Sequence, residues 1–147
     1  MCGIVGVVGL EACSEIILDS LKRLEYRGYD SSGIVTQSGG VFQMNRAVGK
    51  LRNLSEVMRE APLDGQSGLG HTRWATHGGV SERNAHPHMA GDKVVIVHNG
   101  IIENHVALRA ELEAKGHSFS SETDSEVLAH LILEAFDNRL SPQQVGK

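Results

Sequence analysis

The run GIVGVV at residues 3–8 sets the first constraint on the fold. It is short, rich in β-branched residues and bounded by glycine, which predicts a buried strand from Gly3 to Val8. A second run of the same character, KVVIV at 93–97, predicts a strand over Lys93–His98 buried on both faces. Between them, Ser38-Gly39-Gly40 separates two β-prone stretches, Gly33–Gln37 and Val41–Arg46, and reads as a hairpin. Gly68–Ala75 reads as a further strand. Short strands of this kind must be covered by helices or by one another.

The helices are legible from their apolar spacing. Ile17, Leu21 and Leu24 share one face of a helix over Ser14–Glu25, with Gly28 just past its end. Leu51–Glu60 reads as an amphipathic helix ending before Pro62, and Glu103–Lys115 as one stopped by Gly116. Thr123-Asp124-Ser125-Glu126 has capping-box form, and Val127, Leu128, Leu131, Ile132, Ala135 and Phe136 then build one apolar face. Ser141-Pro142-Gln143-Gln144 announces another helix, but the chain stops at Lys147. It is therefore read as the N-terminal piece of something longer.

Composition narrows the function classes. The 147 residues suffice for one domain with one core, and the net charge of −4 offers no basic field for nucleic acid. No apolar stretch approaches a membrane span, and the first ten residues lack the basic flank of a signal peptide. Two cysteines, Cys2 and Cys13, make a disulfide framework implausible and point to the cytoplasm.

Cys2 follows the initiator methionine directly. A thiol attacks as its thiolate, and with a pKa of about 8.5 only a few per cent is ionised at neutral pH. A free α-amino group, with pKa about 7.7–8.0, is partly neutral there and can serve as a base. Removal of Met1 would therefore put nucleophile and base on one residue. The plainer alternative is a small buried hydrophobe in second place.

Five stretches, MCGIVG, LEYRGYDSSG (24–33), HTRWATHG (71–78), HNGIIENH (98–105) and SETDSE (121–126), favour the first reading. Together, in this order, they resemble the N-terminal type 2 glutamine amidotransferase domain of the glutamine–fructose-6-phosphate aminotransferase family. The resemblance covers essentially the whole chain. It implies an α+β fold of the N-terminal nucleophile hydrolase class, a four-layer αββα sandwich of largely antiparallel sheets, C-terminally incomplete here. Residues 1–147 would be the N-terminal portion of the glutaminase domain, without the sugar isomerase domains that bind fructose 6-phosphate. A longer protein of this family would be a homodimer.

The implied chemistry is hydrolysis of L-glutamine to glutamate and ammonia, the ammonia serving glucosamine 6-phosphate synthesis, with no cofactor. By resemblance Cys2 is the nucleophile, and the Asn99 side-chain amide and Gly100 backbone N–H form the oxyanion hole. Arg73 would grip the substrate carboxylate with its fork. Thr76 and His77 would add hydrogen bonds, and Asp124 would bind the substrate ammonium. Trp74 has two readings, cover of the pocket or part of the core. Arg27 either holds the surroundings of the nucleophile or is purely structural. Asn99-Gly100 alone could be an ordinary turn, and Asp124 alone a favourable charge at a helix start.

The histidines His71, His77, His86, His88, His98 and His105 read as dispersed loop and core residues rather than as metal ligands. A rival function from another class is a non-catalytic remnant or interaction module that keeps part of the fold.

Overall fold

A computed structural model describes residues 1–9 and 11–139. In chain order the elements are β1 (Gly3–Val8), α1 (Ser14–Leu24), β2 (Ser31–Ser38), β3 (Val41–Val48), α2 (Leu51–Glu60), β4 (Ser67–Arg73), β5 (His88–Ala90), β6 (Val94–Ile96), α3 (His105–Ala114) and α4 (Glu126–Asp137). The helix expected from Ser141 lies outside the described residues.

β2 and β3 form the expected hairpin. Ser38 pairs with Val41, leaving Gly39 and Gly40 as the two-residue turn at φ values of 56° and 84°. Two left-handed residues in succession match the twist of the flanking strands, and glycine adopts them without steric cost. The hairpin joins β4 and β1 in one antiparallel sheet of order β1-β4-β2-β3. Among the described residues GIVGVV is thus an edge strand rather than a buried one, and Val8 is 90% exposed.

Helices α1 and α2 close one face of this sheet. Ile17, Leu21 and Leu54 are fully buried against Ile34 and Ala47, as the i, i+3, i+4 spacing predicts. β4 lets α1 come close because its helix-facing positions are glycines. A Cβ on Gly70 would lie 2.3 Å from Ile17 Cγ2. Strand alternation then directs Leu69, His71 and Arg73 to the opposite face.

On that opposite face lies the segment 84–90, with a Cβ on Gly33 meeting the His86 carbonyl oxygen at 2.2 Å. β5 and β6 pair as a second antiparallel sheet, covered by α4 through Ala90, Val94 and Ala129. The described residues therefore stack helix, sheet, sheet, helix. The expected strand over 93–98 is shorter, Val94–Ile96, because its partner strand is three residues long, and Val95 and Ile96 are only half-buried. Phe136, expected on the apolar face of α4, is exposed.

The capping box also takes another form. Ser125, not Thr123, precedes α4, and no side chain caps it. Glu126 instead turns back to accept the Ser120 and Ser121 N–H groups at 2.8 and 2.6 Å. Thr123 bonds His88 Nε2 at 2.9 Å. Among the described residues no helix is long and apolar enough to cross a membrane.

Candidate active site

A cavity of about 340 Å³ opens where the start of β1 meets the end of β4, and it is lined by all nine residues singled out in the sequence. The sheet register explains the meeting. Gly3 pairs with Thr72, so Cys2 is carried alongside Arg73 and Trp74. The Trp74 N–H donates to Cys2 Sγ at 3.2 Å.

The Cys2 carbonyl is held twice. Arg27 Nε donates to it at 3.2 Å, and Asn99 Nδ2 donates to it at the same distance. Arg27 thus fixes the backbone that carries the thiol, and it also lines the cavity. The RGYDSSG stretch supports this corner further. A Cβ on Gly28 would lie 2.7 Å from the Arg73 carbonyl oxygen, and Asp30 accepts the Ala75 N–H. Asp30 is a contributor that sequence reasoning passed over. Its place within a quoted motif was the available signal.

Asn99 and Gly100 end the stretch after β6 and face Cys2 across the cavity. Asn99 Oδ1 sits 2.9 Å from His71 Nε2. A Cβ on Gly100 would lie 2.7 Å from His98 Nε2, so a larger residue there would push that ring aside. His98 is held in turn by Ser125 Oγ at 3.0 Å.

Arg73 is 3% exposed and, among the described residues, pairs with no carboxylate. Three carbonyls hold it: Gly79 at 3.1 Å on one terminal nitrogen, and Gly78 at 3.2 Å with His77 on the other. A guanidinium has five N–H groups, so two remain beyond these contacts. A buried cation with only neutral partners is costly unless an anion completes it.

Asp124 is likewise buried. Its Oδ2 accepts the Ile102 N–H at 2.7 Å, while Oδ1 lies 4.0 Å from His77 Nδ1. One carboxylate oxygen is therefore largely uncommitted. Thr76 and Trp74 stand at the exposed rim, with the Trp74 ring edge-on to Tyr29 at 5.9 Å. The core reading of Trp74 does not hold, since it is 49% exposed.

Histidines contribute more than the sequence suggested. His86 lines the cavity, and its ring lies between those of His71 and His88 at centroid distances of 4.2 and 4.3 Å. Burial lowers the pKa of His71 and of His88 to about 4 and that of His86 well below the ordinary histidine value. All three are therefore neutral at physiological pH, and His86 brings no charge to the cavity wall. HTRWATHG and HPH contained these residues, but nothing in their spacing indicates that they stack. Cys13 lies far from this chemistry, fully buried beneath α1, and burial pushes its thiol pKa up.

The comparisons with known proteins agree with this geometry. The chain is 56% identical over 147 residues to glutamine–fructose-6-phosphate aminotransferase (isomerizing) of Gluconobacter oxydans, matching 99% of this chain and 24% of that protein. It is 55% identical over 144 residues to the protein of the same name from Bartonella henselae, matching 98% and 24%. The chain thus spans about a quarter of the length of the curated relatives it matches.

Among solved structures, glutamine phosphoribosylpyrophosphate amidotransferase from B. subtilis, complexed with ADP and GMP, superposes with a TM-score of 0.76 at 28% identity, over 90% of this chain and 29% of that one. A structure described as the allosteric regulatory enzyme of purine biosynthesis gives 0.78 at 29% identity, over the same shares. These likenesses bear out the α+β architecture of the N-terminal nucleophile type. A family model described as "Glutamine amidotransferase domain" matches residues 55–141. That match takes in the end of β4, the Asn99-Gly100 turn and Asp124, the same segments that converge on Cys2, and the chain belongs to the glutamine amidotransferase domain family.

Proposed function

We propose that this domain hydrolyses glutamine, with Cys2 as nucleophile. The observation that carries the reading is that a buried cation without a carboxylate partner, Arg73, and a buried carboxylate, Asp124, both line the cavity that holds the thiol. A free amino acid presents the complementary carboxylate and ammonium, and glutamine adds a side-chain amide within reach of a thiol. Arg73 would take the α-carboxylate with its two remaining N–H groups, and Asp124 Oδ1 would take the ammonium.

Removal of Met1 frees the Cys2 α-amine, which accepts the thiol proton as sulfur attacks the amide carbon. The tetrahedral oxyanion is stabilised by the Asn99 amide and the Gly100 N–H. The amine then passes its proton to the departing ammonia, and water hydrolyses the γ-glutamyl thioester to glutamate. Residues 1–147 would form the N-terminal portion of the glutaminase domain of a longer protein whose sugar isomerase domains receive the ammonia for fructose 6-phosphate. The similarity to the aminotransferases supports that extension. Two free thiols support a reducing cytoplasmic setting.

The test is intact mass combined with a glutaminase assay. Protein shown to have lost Met1 should release ammonia from glutamine, whereas a variant retaining Met1 should not. Arg73→Lys and Asp124→Asn should mainly raise KM, and Asn99→Ala should lower kcat by about 10²–10³ with little change in KM. Turnover by protein retaining Met1 would sink the self-activating mechanism. Inactivity of the processed protein would favour the non-catalytic module.

A further inference from the structure

The Asn99 carboxamide can stabilise an oxyanion only if its nitrogen, not its oxygen, is turned toward Cys2. The two ends of an amide are nearly the same size, so shape alone does not select one. Hydrogen bonding does. At one end lies the Cys2 carbonyl, 3.2 Å away, which can only accept. At the other lies His71 Nε2, 2.9 Å away. With nitrogen facing Cys2, Oδ1 faces His71, and Nε2 must then carry a proton.

We propose that His71 is a positioning residue that locks the Asn99 amide in the donor orientation through its Nε2–H tautomer. The proposal rests on the reading of Asn99 as an oxyanion donor and adds to it the group that enforces the sign of the local dipole. In the other neutral tautomer the Nε2 lone pair would oppose Oδ1. The amide would then turn over, and its oxygen would oppose both the Cys2 carbonyl and any charge developing beside the thiol.

Several features hold His71 in place. It projects from β4, where its backbone pairs with Ile4 on one side and Gly33 on the other. Its side chain has no solvent exposure, and the His86 ring packs on it at 4.2 Å. Nδ1 is buried with no hydrogen-bond partner, as suits a bare ring nitrogen better than a protonated one. Burial also keeps the ring neutral at physiological pH. Asn99 itself is exposed and lies outside regular secondary structure, so its own packing does not fix its amide. The rigid member of the pair is the histidine.

The test uses the full-length protein and has two parts. Nitrogen-15 NMR of the histidine rings at neutral pH should show His71 protonated at Nε2 and bare at Nδ1. The Asn99 side-chain amide protons should exchange slowly, and faster in His71→Phe, which keeps the ring packing but removes the donor. In kinetics, His71→Phe should lower kcat for glutamine hydrolysis by about 10–100-fold with KM little changed. His71→Gln, which can present an N–H, should recover part of that loss. In an Asn99→Ala background, His71→Phe should have almost no further effect on kcat.

A His71 ring protonated at Nδ1 in the wild type would overturn the proposal, and this holds even if His71→Phe fails to fold. An unchanged kcat in His71→Phe, or an equal loss with and without Asn99, would do the same. If the processed wild type hydrolyses no glutamine, the functional reading fails, while the tautomer and the Asn99 exchange rates still decide what His71 does.

Discussion

Under α1 and α2, the four-stranded sheet is sealed by hydrocarbon, with Ile17, Leu21, Ile34 and Leu54 wholly withdrawn from water. Under α4 the apolar cluster is small, Ala90, Val94 and Ala129, and much of the buried volume belongs to His86, His88, Thr123, Glu126 and His130. The first region is stabilised by a non-directional effect that tolerates shape-conserving change. The second depends on every donor meeting its acceptor, so its stability is conditional on particular atoms and protonation states. It is also the region that supplies Asp124 and packs against the cavity.

The largest test of this contrast is at Glu126. Burial opposes its ionisation, but His130 Nε2 at 3.7 Å and the hydrogen bonds from Ser121 and Ser120 outweigh that and lower its pKa to about 2. Glu126→Ala should cost about 3–5 kcal/mol in urea unfolding, because the buried donors lose their common acceptor. Glu126→Gln should keep most of that loss despite its matching shape. Leu54→Met in the apolar region should cost less than about 1.5 kcal/mol. Equal tolerance of the two conservative changes would erase the distinction.

Two glycines give the next comparison. Gly70→Ala presses on the Ile17 Cγ2 and Leu21 side chains, a contact that α1 relieves by moving off the sheet, at about 1–3 kcal/mol. Gly33→Ala presses on the His86 backbone carbonyl, which cannot shift, so it should sit at or above the top of that range. It should also reduce activity more, since it pries the histidine layer off the sheet.

Acid should separate the regions further. His71 has a folded pKa of about 4 against an ordinary 6.5, so the unfolded chain binds more protons between those values. Stability is therefore full above about pH 6.5 and falls as pH drops toward 4, by about 2 kcal/mol at pH 5 for this residue. His86 and His88 act in the same sense. Glu126 adds a later loss as pH falls from about 4.5 toward 2. Hydrogen exchange at pH 5 should show β5, β6 and α4 opening before β2 and β3.

The smallest effect is expected at the surface. Lys93 and Asp137 pair at 2.7 Å with both side chains more than half exposed, so Lys93→Ala should cost only about 0.2–1 kcal/mol. High salt should remove that difference.

The same contrast explains what could be read in advance. Ile17, Leu21, Leu51, Leu54 and Met58 declare themselves by period, and α2 begins and ends where the spacing predicts. The Gly39-Gly40 turn was legible because few conformations suit two glycines between β-prone runs. GIVGVV is recognisable as a strand, but its position at the edge of the sheet among the described residues is not, because sheet order is a long-range property that local patterning does not encode. Glu126 kept the spacing of a capping residue but used it for the 120–121 backbone. The nine cavity residues came from resemblance together with residue chemistry. His86 and Asp30 were missed because their roles depend on neighbours distant in sequence.

The three carbonyl contacts on Arg73 have a further consequence for ligand affinity. Residues 77–79 contain no regular secondary structure and include Gly78 at a φ of 76°. Freezing such a segment costs about 1–2 kcal/mol of backbone entropy per residue. Arg73 already fixes it in the folded chain, with its guanidinium as the common anchor. A ligand carboxylate arriving there would find the loop ordered in advance, so its attraction to the cation would not be spent on ordering. Arg73→Lys should therefore give a looser apo loop as well as a weaker ligand, with a more unfavourable binding entropy measurable by calorimetry.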